Sequence, residues 1–519
     1  VAIMQVTVWG GVRSLALAYG SYRLLRFSFF AYKCIRRALI LNPIPGPKAS
    51  SFFLGMYNIL RGTSPCSCEL QWTQQYGKIV CYRSFGMNFR VLITDPEAMK
   101  YILVTNPRQF PKPQREITLV RRVAGEGLLV IEGDDHARQR RIISEAFHFE
   151  AINKIYPVFV SATEKLVKKW ENLCATQGSG QPVMLDIKKE VSHLTLDVIG
   201  LAAFGFDFQS VEGGKSVVRD AFQDIMPMGG LSLRTILLRM FPILEYLPLP
   251  IIIQANKATK TLRGTVRRVV QERHSQIKAG VAFDDDLLSL MIKARAKAGQ
   301  GLTEDELANN VQTFMLAGHE TTSNALSWAL FLLAKNPGFR EKLRSELYLK
   351  LKGKSPTMRQ LQDKEFPLLY ATMKETLRLY PTAPLTVRIT TKDEVLCGYN
   401  VPEGTTIVLS PFVLGRHPDL WERPDDFWPE RWLGASSAKP ESHPFHWMPF
   451  LSGSRQCIGR GFAEKEMMAT LSTIIQHFDL DLDPQSPEVT AEWKITMYPS
   501  HLNMIVKKVN SPVLREMLV

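Results

Sequence analysis

The segment from Thr303 to Asn336 constrains the fold more than any other part of the chain. It opens with Thr303-Glu-Asp-Glu306, in which the Thr303 hydroxyl and the Glu306 carboxylate can each accept a backbone N–H and start a helix. The helical pattern continues to Asn336, directly before Pro337. At about 1.5 Å per residue such a helix is about 50 Å long, enough to cross a whole domain.

The remaining pattern predicts one large mixed domain. A chain of 519 residues is long enough for about three domains of the usual size, but it has no repeat, low-complexity run or Pro/Gly/Ser-rich linker. Residues 150–350 are mostly helical in pattern, and further helices are predicted from Asp95, over 366–379 and after Cys457. The fold class is therefore mainly α with small β-sheets (α+β). Strands are predicted as a pair around Gly86 within 78–94 and over 385–390, 394–398, 405–409, 479–482 and 502–508.

The first forty residues differ from the rest in charge. The net charge of the chain is +14, and this segment holds no acid and six basic residues, Arg13, Arg23, Arg26, Lys33, Arg36 and Arg37. Residues 1–22 are mostly apolar, and the basic residues that follow predict that the main body stays cytosolic. We expect a transmembrane anchor with a basic flank over 1–40, a proline-rich hinge over 41–48 and the globular domain over 49–519.

Three other interpretations of the N-terminus and its charge remain open. Arg13 would cost about 2.5–3.5 kcal/mol at the middle of a bilayer, so a basic interfacial helix over 14–40 is possible. A cleaved signal peptide could end at Ala16-Leu17-Ala18. Nucleic-acid binding is disfavoured because no recognised motif accompanies the basic charge.

A short loop, Phe450-Leu-Ser-Gly453-Ser-Arg455-Gln-Cys457-Ile-Gly459, defines the surroundings of one thiol. Cys457 precedes a basic helical pattern and follows Arg455 by two positions, which predicts a lowered pKa and an anionic ligand. Gly453 and Gly459 would allow close backbone approach and positive φ, and Phe450 would shield the sulfur. The alternative is a buried cysteine in a glycine-rich turn.

The seven cysteines are scattered and odd in number, which indicates a reducing compartment and no disulfide framework.

This loop resembles the cysteine loop of haem-thiolate monooxygenases, the cytochrome P-450 superfamily. The resemblance covers roughly residues 40–510 and implies the P-450 fold. It also implies that Cys457 is the axial ligand of haem b iron.

The middle of the long helix contains Ala317-Gly-His-Glu320-Thr321-Thr322, a cluster of residues that are poor helix formers. Such a cluster suggests a functional distortion. The resemblance implies that Ala317 and Gly318 lie beside the haem, where Gly318 leaves room for O2, and that Glu320 and Thr321 deliver protons. The alternative is a buried small-residue contact with Glu320 facing solvent.

Two further motifs gain meaning from the resemblance, Lys374-Glu-Thr-Leu-Arg378 and Phe427-Trp-Pro-Glu-Arg431-Trp432. Glu375 and Arg378 lie one helical turn apart, where an exposed ion pair is the default interpretation. The resemblance implies a structural triad in which Arg431 is the third member.

Four residues are expected to bind the haem propionates. Arg455 and Arg388 match family positions. Arg140 and His136 match a Trp-x-x-x-Arg motif, with histidine in place of tryptophan. For His136 the alternative is a half-buried surface histidine.

The resemblance also implies substrate contacts at positions that are mostly apolar, which predicts a lipophilic substrate. The alternative is that these residues belong to the ordinary core. These positions are Phe314, Ala317, Ala383, Leu385, Thr496, Met497 and the segment 106–122.

The resemblance implies a monooxygenase that takes electrons from NADPH through a separate reductase, because this chain shows no flavin or nicotinamide domain. Cytochrome b5 is a second candidate electron donor. It would act at the endoplasmic reticulum membrane, facing the cytosol. The motifs look like those of fungal members, many of which act in specialised metabolism and often on terpenoids. The alternatives are a reductase-independent enzyme that rearranges peroxides and a non-catalytic haem- or lipid-binding protein.

Overall fold

A computed structural model gives the architecture of the chain. It describes residues 2–51, 54–56, 59–60, 64–86, 88–114, 116–176, 181–214, 217–225, 237–238, 244, 247–280, 286–298, 301–362, 364–434 and 443–509.

The described part of the chain is mainly helical, as the sequence predicts. In chain order its α-helices are α1 Ala2–Leu41, α2 Ser67–Tyr76, α3 Pro96–Lys100, α4 Thr118–Ala124, α5 Gly133–Ser144, α6 Phe149–Thr176, α7 Ile187–Phe204, α8 Val217–Ile225, α9 Pro250–Lys278, α10 Leu287–Ala298, α11 Glu304–Lys335, α12 Pro337–Leu351, α13 Met358–Gln362, α14 Pro367–Leu379, α15 Pro411–Arg416 and α16 Arg460–His477.

The strands form small sheets. They are β1 Ile79–Arg83, β2 Phe89–Ile93, β3 Val183–Asp186, β4 Thr386–Ile389, β5 Glu394–Leu396, β6 Tyr399–Val401, β7 Thr406–Leu409, β8 Phe478–Leu482, β9 Ala491–Trp493, β10 Met497–Pro499 and β11 Asn503–Lys508. One sheet has the order β1-β2-β7-β4, with β2 and β7 parallel, and another has the order β3-β11-β8. The pairs β9–β10 and β5–β6 are antiparallel.

The local start signals act as the sequence predicts. Thr303 and Glu306 form both bonds of the capping box, with Glu306 N donating to Thr303 Oγ1 at 3.2 Å and Thr303 N donating to Glu306 Oε2 at 2.8 Å. Asp95 accepts a bond from Ala98 N at 3.0 Å and caps α3. These polar side chains replace the missing helical partners of the first N–H groups, so each helix begins at a defined residue.

Helix α11 lies at the centre of the largest apolar core. Most of its side chains are buried, and it packs against α7, α16, α14 and α9. Pairing between strands explains the differences from the strand predictions. The short strands β3, β6, β9 and β10 have weak patterns and form by pairing with distant or adjacent segments. The strand predicted over 394–398 ends at Leu396 because Cys397 and Gly398 have φ of 50° and 80° and turn the chain into β6.

The N-terminal segment is one helix, α1, followed by a packed turn. Within the described residues, none of the helices combines the length and apolar character needed to cross a membrane. The end of α1 meets the β5–β6 hairpin region, where Arg36 Nη2 and Asp393 Oδ2 lie 2.5 Å apart. In the predicted hinge, Pro45 O accepts a bond from Cys81 N at 2.9 Å, so this turn lies against β1. The three-part division of the chain stays a prediction.

Candidate active site

The cysteine loop is held by backbone contacts. Cys457 N donates to Phe450 O at 2.8 Å, which closes the loop just before α16. Gly453 has φ of 71°, and a Cβ there would lie 2.0 Å from Leu103 O, so a side chain is excluded. Gly459 differs from the sequence prediction. Its φ is −86° and an added Cβ would meet only Phe147 at 3.7 Å, so neither close approach nor positive φ requires glycine there.

The Cys457 side chain keeps solvent-accessible surface, although many protein atoms surround its sulfur. This burial raises the pKa of the thiol. The Gly459 N–H, Arg140 and Arg460 act in the opposite direction with smaller effect. The predicted lowering of this pKa is wrong for the protein without metal, because burial outweighs the nearby positive charge and Arg455 pairs with an acid rather than with the thiol. A bound cation would deprotonate the thiol outright.

That acid is Glu132, and it lies beside several cations. Arg455 forms an ion pair with Glu132 and also donates to Ile131 O at 2.9 Å. Burial lowers the pKa of Arg388 to about 10, with Glu132 opposing this effect and Arg455 adding to it. Lys112 donates to Leu129 O at 2.5 Å, and burial, Arg455 and Arg388 lower its pKa to about 7.

In this cluster of described residues, basic side chains outnumber the single acid Glu132, and one guanidinium N–H donor has no partner. Arg388 Nη2 is buried and has no hydrogen-bond partner in the described part of the protein. Its Nη1 donates to Thr386 Oγ1 and to Val387 O, both at 2.8 Å. A buried guanidinium with a free donor in a mainly cationic cluster fits an anionic group such as a haem propionate.

Arg140 and His136 lie on α5, next to this cluster. Arg140 Nη2 donates to Gln456 O at 2.8 Å, so it contacts the loop directly before Cys457. His136 is 5% exposed, which is less than a half-buried surface histidine would be. Burial, and then Arg455, Lys112 and Arg140, lower the pKa of His136 to about 3, so its imidazole is neutral at neutral pH.

Helix α11 is unbroken in its middle, where the sequence suggested a functional distortion. Thr321 Oγ1 donates to Ala317 O at 2.6 Å, four residues earlier, which occupies that carbonyl. Gly318 faces α7, because a Cβ there would lie 2.6 Å from Ile199 Cδ1. Its small size therefore serves close packing of the two helices. One turn earlier, Phe314 meets Phe147 edge-on, with ring centroids 5.3 Å apart.

Glu320 is partly buried and bonded, which differs from the solvent-facing alternative. Its Oε1 accepts from Thr496 Oγ1 at 3.0 Å and lies 3.4 Å from Asn324 Nδ2. Asn324 also donates to Thr496 Oγ1 at 3.1 Å. Lys188 is near, since Glu320 raises its pKa against the larger lowering effect of burial. These contacts hold the carboxylate on the side of α11 next to β10.

Glu375 is the centre of a buried polar cluster. Its Oε1 accepts from Arg378 Nη2 at 2.8 Å, Arg431 Nε at 3.1 Å and Trp428 N at 2.9 Å. Its Oε2 accepts from Arg378 Nε at 2.9 Å and Trp432 Nε1 at 3.0 Å. The side chains of Glu375, Arg378 and Arg431 have no exposed surface. The three residues named from the sequence therefore meet in one cluster, and the default exposed ion pair is absent.

The residues expected to contact substrate differ widely in their exposure to solvent. Ala383 is exposed and Leu385 is half-buried, whereas Met497 has no exposed surface. Met497 packs with Cys66 and Phe412, so it lines no open space here. Of the segment 106–122, residue 115 lies outside the described residues.

Sequence analysis missed some functional contacts. Lys112 has no motif of its own, and only its place in the segment 106–122 pointed to the site. Thr496 was expected to contact substrate, but its hydroxyl bonds Glu320. Neither contact has a signal in the spacing along the chain.

A cysteine directly before a helix, with a buried cationic cluster adjoining its loop, fits the class of haem-thiolate proteins, which hold haem iron through a cysteine thiolate. The Cytochrome P450 family model matches residues 44–506, and the chain belongs to the cytochrome P450 family as a monooxygenase. The chain is 30% identical over 535 residues to Cytochrome P450 monooxygenase 128 of Postia placenta, covering 96% of each chain. It is 31% identical over 489 residues to Cytochrome P450 monooxygenase 205 of the same fungus, with 86% of this chain and 88% of that one covered. Cytochrome P450 monooxygenase claW of Ampulloclitocybe clavipes is 28% identical, with 89% of this chain and 91% of that one covered.

Proposed function

We propose that this monooxygenase inserts one oxygen atom of O2 into a lipophilic substrate, by hydroxylation or epoxidation, with haem b bound through Cys457. The observation that carries the proposal is a buried cationic cluster that adjoins the cysteine loop through Arg455 and contains Arg388, whose Nη2 has no hydrogen-bond partner among the described residues. When bound, haem supplies the activation of dioxygen.

The residues around Cys457 divide the binding of that group between them. Arg388, Arg455 and Lys112 supply positive charge for the propionates, while Arg140 also supports the loop through Gln456 O. Neutral His136 can donate one hydrogen bond without adding charge. Glu132 holds Arg455 in place by pairing with it.

Thr321 and Glu320 have separate tasks in the proposed reaction. The Thr321 hydroxyl donates to Ala317 O, so its oxygen remains able to accept a hydrogen bond from a water molecule beside α11. Glu320 is the ionisable group next to it, and Thr496 and Asn324 hold its carboxylate. Such a pair can pass protons to one position while the substrate side stays apolar.

The partner, location and substrate class rest on the resemblance and on the fungal relatives. Electrons come from an NADPH-dependent reductase, with cytochrome b5 as a possible second donor. The enzyme works at the endoplasmic reticulum membrane with its catalytic domain on the cytosolic side. Its substrate belongs to fungal specialised metabolism, with terpenoids as the first class to examine.

The test uses the full chain with haem, a P450 reductase, NADPH and a panel of terpenoid scaffolds. Isotopically labelled dioxygen should place one labelled oxygen in each product. In Thr321→Ala the alanine methyl cannot hydrogen-bond the water molecule beside α11, so NADPH oxidation should continue while product per NADPH falls and hydrogen peroxide accounts for the difference.

Thr321→Ser is the matched control, because it keeps the hydroxyl and should keep most of the coupling. Unchanged coupling in Thr321→Ala would refute the role of Thr321 alone. Turnover of a substrate without NADPH or dioxygen would refute the monooxygenase proposal for that reaction.

A further inference from the structure

Helix α11 has buried polar side chains on the face that meets α4. Gln312 is 2% exposed and Thr313 is 3% exposed, although their neighbours Val311 and Phe314 belong to the largest apolar core. A buried amide or hydroxyl raises the free energy of the fold unless it is hydrogen-bonded. The proposed reaction uses neither side chain, so their partners show what they do.

The partners of these side chains are the last carbonyl groups of α4. Gln312 Nε2 donates to Val123 O at 2.8 Å, and Thr313 Oγ1 donates to Ala124 O at 2.7 Å. The last carbonyls of a helix have no partner within the helix itself, so side chains of α11 satisfy them here. Because α4 has only seven residues, Thr118–Ala124, it is too short to be stable by itself. We call these two hydrogen bonds the α4–α11 contact.

The turn that follows α4 also lies directly on α11. Leu128 N donates to Asn310 Oδ1 at 3.0 Å, and Asn310 has no exposed surface. A Cβ atom at Gly127 would collide with Thr313 Oγ1. The backbone after α4 therefore approaches α11 as closely as glycine allows.

The start of α4 is attached to a different part of the fold. Glu116, two residues before α4 begins, accepts from Arg90 Nη2 at 2.7 Å and from Thr406 Oγ1 at 3.1 Å. Arg90 lies on β2 and Thr406 lies on β7, which are neighbouring strands of one sheet. The end of α4 that lies on α11 can therefore be loosened while its start stays attached to the sheet.

The α4–α11 contact lies on the side of α11 that carries the proposed oxygen site. Residues four apart share one side of a helix, so Thr313, Ala317 and Thr321 follow one another along it. At about 1.5 Å per residue, Thr313 lies about 6 Å before Ala317 and about 12 Å before Thr321. Ala317 and Thr321 keep partly exposed side chains, whereas Thr313 is covered. The open space beside Ala317 and Thr321 therefore ends where α4 covers α11.

We propose that Gln312 and Thr313 are positioning residues that fix α4 as the boundary of the substrate space, and that this boundary limits the size of substrate accepted. A short ligand beside Ala317 fits next to the fixed helix, whereas a longer one reaches α4 and has to displace it. Loss of the α4–α11 contact would let the far end of α4 move away while Glu116 holds its start. The size limit rests on the proposed function, because that function places the substrate beside Ala317. The contact itself does not rest on it.

Hydrogen–deuterium exchange on the full-length protein with its haem measures the contact without NADPH, reductase or substrate. Thr313→Val keeps the shape but leaves Ala124 O without its partner, so the backbone amides of α4 and the following turn should exchange about tenfold faster. Thr313→Ser keeps the hydroxyl and should exchange at the parent rate. Thr259→Val is the matched control, because it removes a buried hydroxyl that donates to Ala255 O within α9 at 2.7 Å and should leave α4 unchanged.

The preference for ligand size tests the positioning role, because a purely structural contact would not change it. The probes are imidazole, 1-phenylimidazole and a biphenylyl imidazole, which bind haem iron through nitrogen and shift the haem absorbance band. In Thr313→Val and Gln312→Leu the affinity for the biphenylyl compound should rise about tenfold while that for imidazole stays the same, because the large ligand no longer has to break the contact. Thr313→Ser and Thr259→Val should keep the affinities of the parent.

Unchanged exchange of α4 in both Thr313→Val and Gln312→Leu would overturn the proposed role of the contact. Faster exchange with unchanged ligand affinities would overturn the size limit. Failure of both variants to bind haem would also contradict the proposal, because the contact would then be essential to the core of the protein. A failed monooxygenase assay with the expected exchange and ligand results would count against the proposed function alone.

Discussion

Replacing Glu375 by Gln should destabilise the protein strongly, although the two side chains are almost the same size. Both oxygens of Glu375 accept only from N–H donors, three at Oε1 and two at Oε2. An amide has one NH2 group, so either orientation places donors against at least two of these N–H groups. The change also leaves Arg378 and Arg431 buried without their counter-charge.

The magnitude follows from the burial of all three side chains, which have no exposed surface. Breaking a fully buried ion pair by removing one partner costs about 3–5 kcal/mol, because the remaining charge stays desolvated. We therefore expect the free energy of unfolding to fall by about that amount. Two guanidinium groups share Glu375, so the upper part of the range is the better expectation.

Urea unfolding followed by far-ultraviolet circular dichroism and by haem absorbance measures this change. Glu403→Gln is the matched control, since its side chain is 56% exposed and lies 3.9 Å from Lys33 Nζ. That exposed pair should contribute less than about 1 kcal/mol. If Glu375→Gln has the same unfolding midpoint and slope as Glu403→Gln, the buried-charge reasoning is refuted.

Three further predictions concern the ligand, the cationic cluster and the N-terminus. Cys457→Ala should abolish the red-shifted carbon monoxide band of the reduced protein, and a surviving band would contradict the ligand assignment. Because burial, Arg455 and Arg388 lower the pKa of Lys112 from 10.5 to about 7, the unfolded chain binds more protons than the folded apoprotein between these values. Apoprotein stability should therefore rise with pH across this window, and a Lys112→Met variant whose pH profile matches the parent would argue against it. Removing residues 1–40 should lower membrane partitioning and leave the haem spectrum unchanged; complete pelleting with membranes after high salt would show that other surfaces carry the attachment.

Local patterns settled much of the fold before any packing was known. The capping box at Thr303 and the Asp95 cap act between residues three positions apart, so they start helices in any tertiary setting. The spacing of Glu375 and Arg378 likewise ensures that the two can pair on one helix face. The cysteine loop identified the family for the same reason, because Cys457 and its supporting turn are contiguous in the sequence.

Contacts between distant segments were decided by the tertiary structure alone. Lys112, Glu132 and Arg388 meet in one cluster, and Thr496 reaches Glu320 across 176 positions of sequence. The pKa of Cys457 is raised, whereas the sequence predicted that it would be lowered, because burial outweighs nearby positive charge. Burial and long-range partners depend on how whole elements pack, and a periodic sequence pattern carries no information on which distant side chain will face a given group.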